Sequence, residues 1–104
     1  MITKDMVRKF VEELKAEEMV KKHLYKFTWL SGSSTTVYPI SIYYESFPTS
    51  AVVLQWDSDE RCTKFINKIV KKYSDILERG YFWKSDGSCP STITFWLKEK
   101  IQVV

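Results

Sequence analysis

The sequence holds little that could cross-link it, anchor it in a membrane or leave it disordered. Three glycines and three prolines among 104 residues are too few for a disordered or low-complexity chain. Its longest aliphatic run, Ala51–Leu54, is far shorter than a membrane span. The start is charged at Lys4 and Asp5, which does not fit a secretory signal. We therefore expect a cytoplasmic protein in which two cysteines, Cys62 and Cys89, are free thiols.

No segment of the chain is strongly charged. The net charge of +3 comes from 16 basic and 13 acidic residues. Residues 1–22, 23–56, 57–79 and 80–104 are each within one unit of neutrality, so no lobe has the basic excess typical of strong duplex binders. The charges are nevertheless sorted locally, because five cations lie opposite the apolar stripe of one predicted helix. We call them the lysine row: Arg61, Lys64, Lys68, Lys71 and Lys72.

Residues that could carry chemistry are few and scattered. A dyad of the one histidine, His23, with Cys89 is conceivable, but an ordinary structural histidine fits the pattern better, since catalysis needs a positioned base and nucleophile. Cys62 falls on an apolar helix stripe and is expected in the core. Three acidic residues could be mistaken for a metal site but suit the capping of a helix start: Asp57, Asp59 and Glu60. We therefore predict no enzyme activity, no cofactor and no metal.

Two segments have helical periodicity. The first helix should begin at Thr3 as a cap, bury one face, and end or kink near Ala16, with a short helical turn to Lys22. The second should run over residues 57–80, where Gly80 would end it in a left-handed turn. Its apolar residues recur at spacings of three and four: Cys62, Phe65, Ile66, Ile69, Val70, Tyr73, Ile76 and Leu77.

Alternating patterns predict the strands. They cover residues 23–30, 38–44, 51–56 and 92–98, with a further short strand at 81–83. The order helix, three strands, helix, two strands favours short antiparallel connections. We therefore predict a single α+β domain over residues 1–104. It would be a two-layer sandwich, with an antiparallel sheet of about five strands and two helices on one face.

Two surfaces are candidates for binding. The lysine row is one; it is either a solvated face or a contact for phosphate or an acidic protein. The other is the sheet face away from the helices, where aromatic and basic residues resemble a stacking platform for single-stranded nucleic acid. In the alternative interpretation, Trp96 is covered by the C-terminal tail or by the region of Trp83. The predicted sheet-face residues are Lys26, Thr28, Tyr43, Gln55, Thr94, Trp96 and Lys98.

These features favour a small non-enzymatic binding protein that occludes or bridges a macromolecular partner, with a protein as the first expectation. A compact, motif-poor chain is typical of phage or mobile-element accessory proteins that inhibit host factors. The alternative is a nucleic-acid-binding module that uses the sheet face or the lysine row. No membrane partner is expected. The final segment, from Ile101 to Val104, could pair at a sheet edge and form a homodimer.

Overall fold

The computed structural model describes residues 1–23, 40–44, 49–56, 62–84 and 91–102. The elements in chain order are β1 (Ile2–Thr3), α1 (Lys4–Lys15), α2 (Glu18–His23), β2 (Ile40–Tyr43), β3 (Ala51–Trp56), α3 (Thr63–Lys72), β4 (Leu77–Trp83), β5 (Ser91–Leu97) and β6 (Ile101–Gln102). Strands β2 to β5 form an antiparallel sheet in the order β2-β3-β5-β4, and β1 pairs with β6 in parallel. The predicted α+β class is confirmed, with three helices instead of two and a four-stranded sheet in the described residues.

The N-terminal helices follow the sequence prediction closely. The hydroxyl of Thr3 accepts a hydrogen bond from the amide of Met6 at 3.2 Å, which satisfies one of the open donors of the first turn. Helix α1 is capped at Ala16, and α2 continues from there. His23 belongs to α2, so the prediction that it starts a strand is wrong; residues 24–30 lie outside the described residues. The buried face of α1 consists of Val7, Phe10, Val11 and Leu14.

The predicted long helix is shorter than its apolar pattern suggests. Helix α3 covers only Thr63–Lys72, and a turn follows in which the amides of Ile76 and Leu77 both donate to the carbonyl of Tyr73, at 3.0 and 2.8 Å. Ile76 is buried in this turn, and Leu77 is buried at the first position of β4. Their spacing in the sequence matches that of a helical stripe, although neither residue is in a helix. Cys62, next to the helix start, is buried as predicted. The expected cap residue Asp57 lies outside the described residues.

Gly80 does not end a helix. It lies in β4 opposite Phe95, and its φ is outside the left-handed region. A Cβ at this position would collide with Cγ2 of Ile66 on α3 and would stand 3.2 Å from two ring carbons of Phe95. The missing side chain therefore allows helix and strand to approach closely, which is a recognised use of glycine within strands. The prediction of a left-handed turn is wrong for this reason.

Helices α1 and α3 cover one face of the sheet, as predicted. The ring of Phe10 meets Phe95 edge-on at 6.0 Å between centroids, and Trp56 stacks on Phe65 at 5.9 Å. Both contacts join a helix to the sheet through buried rings, so they place the core between the two layers. No helix within the described ranges has the length and apolar character needed to cross a membrane.

The C-terminal strand ends earlier than predicted. Strand β5 stops at Leu97, and the chain bends before β6, where Ile101 pairs with Ile2. Strand β6 leaves the main sheet and joins β1. Residues 103–104 lie outside the described residues. The pairing occupies one edge of β6 within the chain, and the homodimer stays a prediction.

Candidate functional site on the outer face of the sheet

Strand register divides the side chains of the four-stranded sheet between two faces. Cross-strand partners share a face, and successive residues alternate between faces. The face that carries Phe95 and Trp56 packs against the helices. The described side chains at the register positions that point away from the helices form what we call the outer face: Tyr43, Ala51, Val53, Gln55, Arg79, Tyr81, Trp83, Thr92, Thr94 and Trp96.

Three aromatic rings of the outer face are exposed to solvent. Tyr43 is 49% exposed, Tyr81 47% and Trp83 57%. The rings of Tyr81 and Trp83 lie 4.9 Å apart between centroids with 51° between their planes. Each ring combines a large apolar surface with a polar tip, the combination that is enriched at binding hot spots. The outer face therefore presents aromatic surface that the fold itself leaves in contact with water.

A cation accompanies the rings. The guanidinium carbon of Arg79 lies over the ring of Trp96, 5.4 Å from its centroid, and the two residues are register partners on β4 and β5. This attraction between a cation and a ring face does not occupy the N–H donors of the guanidinium with a hydrogen-bond acceptor. Trp96 is half-buried, and Arg79 covers part of its ring. The sequence analysis expected such a cover from the C-terminal tail or from the region of Trp83.

The rings occupy three successive cross-strand rows. The first row runs Tyr43, Ala51, Trp96 and Arg79 across the four strands. The second row includes Tyr81, and the third includes Trp83, each two residues further along β4. Consecutive rows are about 6.7 Å apart, since a strand advances 3.3–3.4 Å per residue. The result is a ladder of rings along the sheet.

Most of the predicted sheet-face residues in the described ranges are accessible. Tyr43 and Lys98 are exposed and Gln55 is half-buried, with Lys98 directly after the end of β5. Thr94 points outward by register but is only 6% exposed, because a short side chain is shaded by larger neighbours in its row. Two predicted contact residues lie outside the described residues: Lys26 and Thr28.

The sequence-based prediction of the sheet face lacks six residues of the outer face, and the three with large side chains are Arg79, Tyr81 and Trp83. The sequence pattern places Arg79 in the long helix, and it places Tyr81 and Trp83 in a short strand that forms a hairpin with the last strand. A signal was present, because Tyr81 and Trp83 alternate with Phe82, which is half-buried and lies opposite the buried Ile93. Extending that alternation back through Gly80 predicts the longer strand that β4 forms.

Two members of the lysine row are engaged within the fold. The amines of Lys68 and Lys72 lie 3.1 and 3.3 Å from the carboxylate of Glu17, whose side chain is 14% exposed. The hydrogen bond from Lys68 is the main cause that holds the pKa of Glu17 below its ordinary value, with a further contribution from Lys72. Lys64 and Lys71 are exposed. A fifth member of the row lies outside the described residues: Arg61.

A second polar contact ties the helix layer together beside a shallow cavity. The hydroxyl of Tyr73 donates to the carboxylate of Glu13 at 2.7 Å. Burial, followed by this carboxylate, raises the pKa of the Tyr73 phenol. Both side chains line a cavity of about 230 Å³ together with Met6, Phe10 and Ile76. The contact is not an ion pair, because the phenol of Tyr73 is uncharged, but it joins α1 to the end of α3.

The residues considered for catalysis and metal binding occupy separate places. His23, at the end of α2, lies 5.5 Å from Trp56 between ring centroids. Cys89 and the acidic residues at 57–60 lie outside the described residues. Within the ranges that the structure covers, no three His, Cys, Asp or Glu side chains gather in a way that could hold a metal ion.

Comparison with known proteins identifies no relative. No family model, no curated protein and no solved structure matches this chain.

Proposed function

We propose that the chain is a small binding protein, without catalytic activity of its own, that engages a macromolecular partner through the outer face of its sheet. The observation that carries this proposal is the cluster of exposed rings beside Arg79 on that face. Tyr, Trp and Arg are the residue types that contribute most to interface hot spots. The buried face of the same sheet already supplies the core, so these rings are not needed to close it.

The outer face is a better candidate than the lysine row. Lys68 and Lys72 share the carboxylate of Glu17, so a partner that used them would compete with an existing contact. The outer-face rings of Tyr81 and Trp83 contact each other in a tilted arrangement, and each ring is still about half exposed to solvent. Binding there costs little rearrangement, because aromatic side chains lose few rotamers.

The shape of the site fits occlusion of a partner surface. A sheet face presents its side chains on a broad, gently twisted plane, which suits coverage of another surface and not the enclosure of a small molecule. An accessory protein that inhibits a host factor by covering it would use such a face.

The proposal is tested by affinity capture from the source cells with and without nuclease. Three tagged proteins are compared: wild type, the double variant Tyr81→Ala/Trp83→Ala, and the control Lys64→Ala/Lys71→Ala, which removes two exposed cations of α3. We expect the outer-face variant to lose the captured partner, since hot-spot truncation costs about 2 kcal/mol or more, roughly 30-fold in affinity. Loss in the α3 control with full capture by the outer-face variant would contradict the proposal.

A further inference from the structure

We propose that the partner of the outer face is single-stranded nucleic acid, whose bases stack on the exposed rings of β4 while phosphates meet the neighbouring cations. The inference rests on the function proposed above, because it names the partner of the same face. The sequence alone favoured a protein partner. The arrangement of rings and charge on β4 is what points to nucleic acid.

The spacing of the rings suits an extended single strand. Tyr81 and Trp83 stand in consecutive rows, and their ring centroids lie 4.9 Å apart. Bases stacked in a duplex are 3.4 Å apart along each strand, so a single strand stretched to about one and a half times that rise brings successive bases to successive rings. Stacking on aromatic side chains is tolerant of sequence, since every base has a π-face. The ladder therefore predicts binding without strong base preference.

The charge of the face is also suitable. Among the described residues that the register turns outward, Arg79 is the one with a charged side chain. Its contact with the face of the Trp96 ring uses no hydrogen-bond acceptor, so its N–H groups can bond phosphate oxygens. Lys84 is exposed and directly follows Trp83. Glu78, which is also exposed, occupies the bulge between Leu77 and Arg79 and has no register partner. Arg79 and Lys84 thus precede and follow the two rings along the chain.

This mode of binding excludes a duplex. In double-stranded nucleic acid the base faces are covered by their neighbours, and proteins reach only the base edges and the backbone. Rings that lie on a flat sheet cannot enter that stack without unpairing it. Preference for single strands is therefore the signature that separates ring stacking from simple attraction between cations and phosphates.

The test measures fluorescence anisotropy of labelled 20-nucleotide single-stranded DNA and RNA, with the matching duplexes as comparison, at 50 and 200 mM salt. Contacts from Arg79 and Lys84 to two phosphates give a salt slope of about −1.4, so affinity should fall roughly 7-fold between these salt concentrations. Trp83→Ala should weaken binding by roughly 5- to 150-fold, the loss of one stacked base. Trp83→Phe keeps a ring and should retain most of the affinity, as should the α3 control Lys64→Ala/Lys71→Ala. Melting curves confirm that each variant is folded.

Several results would overturn the inference. The first two are no binding to either single strand, and binding to the duplex that is as strong as binding to the single strand. The others are competition by polyglutamate that is as effective as competition by unlabelled single strand, and an unchanged affinity in folded Trp83→Ala. If nucleic acid does not bind but a nuclease-resistant protein is captured through the outer face, this inference fails and the proposed function stands. If the Tyr81→Ala/Trp83→Ala variant captures every partner as the wild type does, both fail.

Discussion

Adding one methyl group at Gly80 should reveal how closely α3 approaches the sheet. A Cβ there would overlap Cγ2 of Ile66 and stand 3.2 Å from two ring carbons of Phe95. Neither neighbour can yield easily, because the Ile66 methyl is a branch on a helix residue that is 5% exposed and Phe95 is fully buried. Overpacking of this kind costs about 1–3 kcal/mol. It opposes the gain of about 0.4–1 kcal/mol that alanine brings by restricting the unfolded chain.

A double-mutant cycle isolates the overlap. Ile66→Ala removes the colliding methyl group and costs about 2–5 kcal/mol by itself, as large-to-small core changes do. In that background, Gly80→Ala should destabilise much less than in the wild type, since only the Phe95 ring carbons at 3.2 Å remain close and the gain of about 0.4–1 kcal/mol opposes them. The coupling free energy between the two positions should therefore equal the share of the overpacking cost that comes from Ile66, at most about 3 kcal/mol.

The matched control is Ile69→Ala, one helical turn further on. Ile69 is also fully buried on α3 but is not among the atoms nearest to the Gly80 position. Gly80→Ala should stay destabilising in that background. The assay is urea unfolding followed by circular dichroism, with midpoints compared at constant slope. Additive effects of Gly80→Ala and Ile66→Ala, or a stabilised Gly80→Ala single variant, would refute the close approach.

Three further predictions test the fold and the division between core and outer face. Ser50→Ala should cost about 1–3 kcal/mol, because the buried Ser50 hydroxyl accepts from the amide of Ile101 at 3.0 Å; a cost below 0.5 kcal/mol in urea unfolding would speak against that contact. Glu17 is held ionised by its two lysines, so wild type should exceed Glu17→Gln in stability by about 1 kcal/mol or less at pH 7. That advantage should vanish as the pH falls below about 4.3, through the lowered folded pKa; an advantage that persists in acid would contradict the ion pair. Trp56→Ala should cost about 3–5 kcal/mol and Trp83→Ala less than about 0.5 kcal/mol, so equal losses of melting temperature would show that the second ring is not at the surface.

The parts of the fold that local sequence determines were predictable. Helix α1 combines a hydroxyl cap at Thr3 with an uninterrupted apolar stripe, so both its start and its buried face follow from nearest neighbours in the chain. The same is true of β5, where Ile93, Phe95 and Leu97 are fully buried in strict alternation. In these segments the periodicity, the cap and the burial agree, and there was no competing interpretation.

The region after α3 could not be predicted in the same way. Ile76 and Leu77 satisfy a helical stripe and also the entry into a strand, and only the turn at Tyr73 decides between them. Gly80 suggested a helix end because glycine is common there, whereas the reason for it lies 14 positions away in Ile66. The ion pairs of Glu17 span 51 and 55 positions. Such contacts depend on how elements pack, and a single sequence does not carry that information.

Strand β4 is the element on which stability and the proposed binding depend together. Gly80 faces inward and lets α3 sit close to the sheet, while its neighbours Arg79 and Tyr81 face outward with Trp83. Because alternate residues of one strand are fixed to opposite faces, the approach of α3 on one side sets the position of the ring ladder on the other. The register bulge between Leu77 and Arg79 also contributes to this arrangement. It inserts one residue after the buried Leu77, so that Arg79 faces outward beside Trp96. Because the strand register fixes their direction, the rings would already be in place before a partner binds, which favours the proposed recognition by preformed rings over recognition by a segment that must first become ordered.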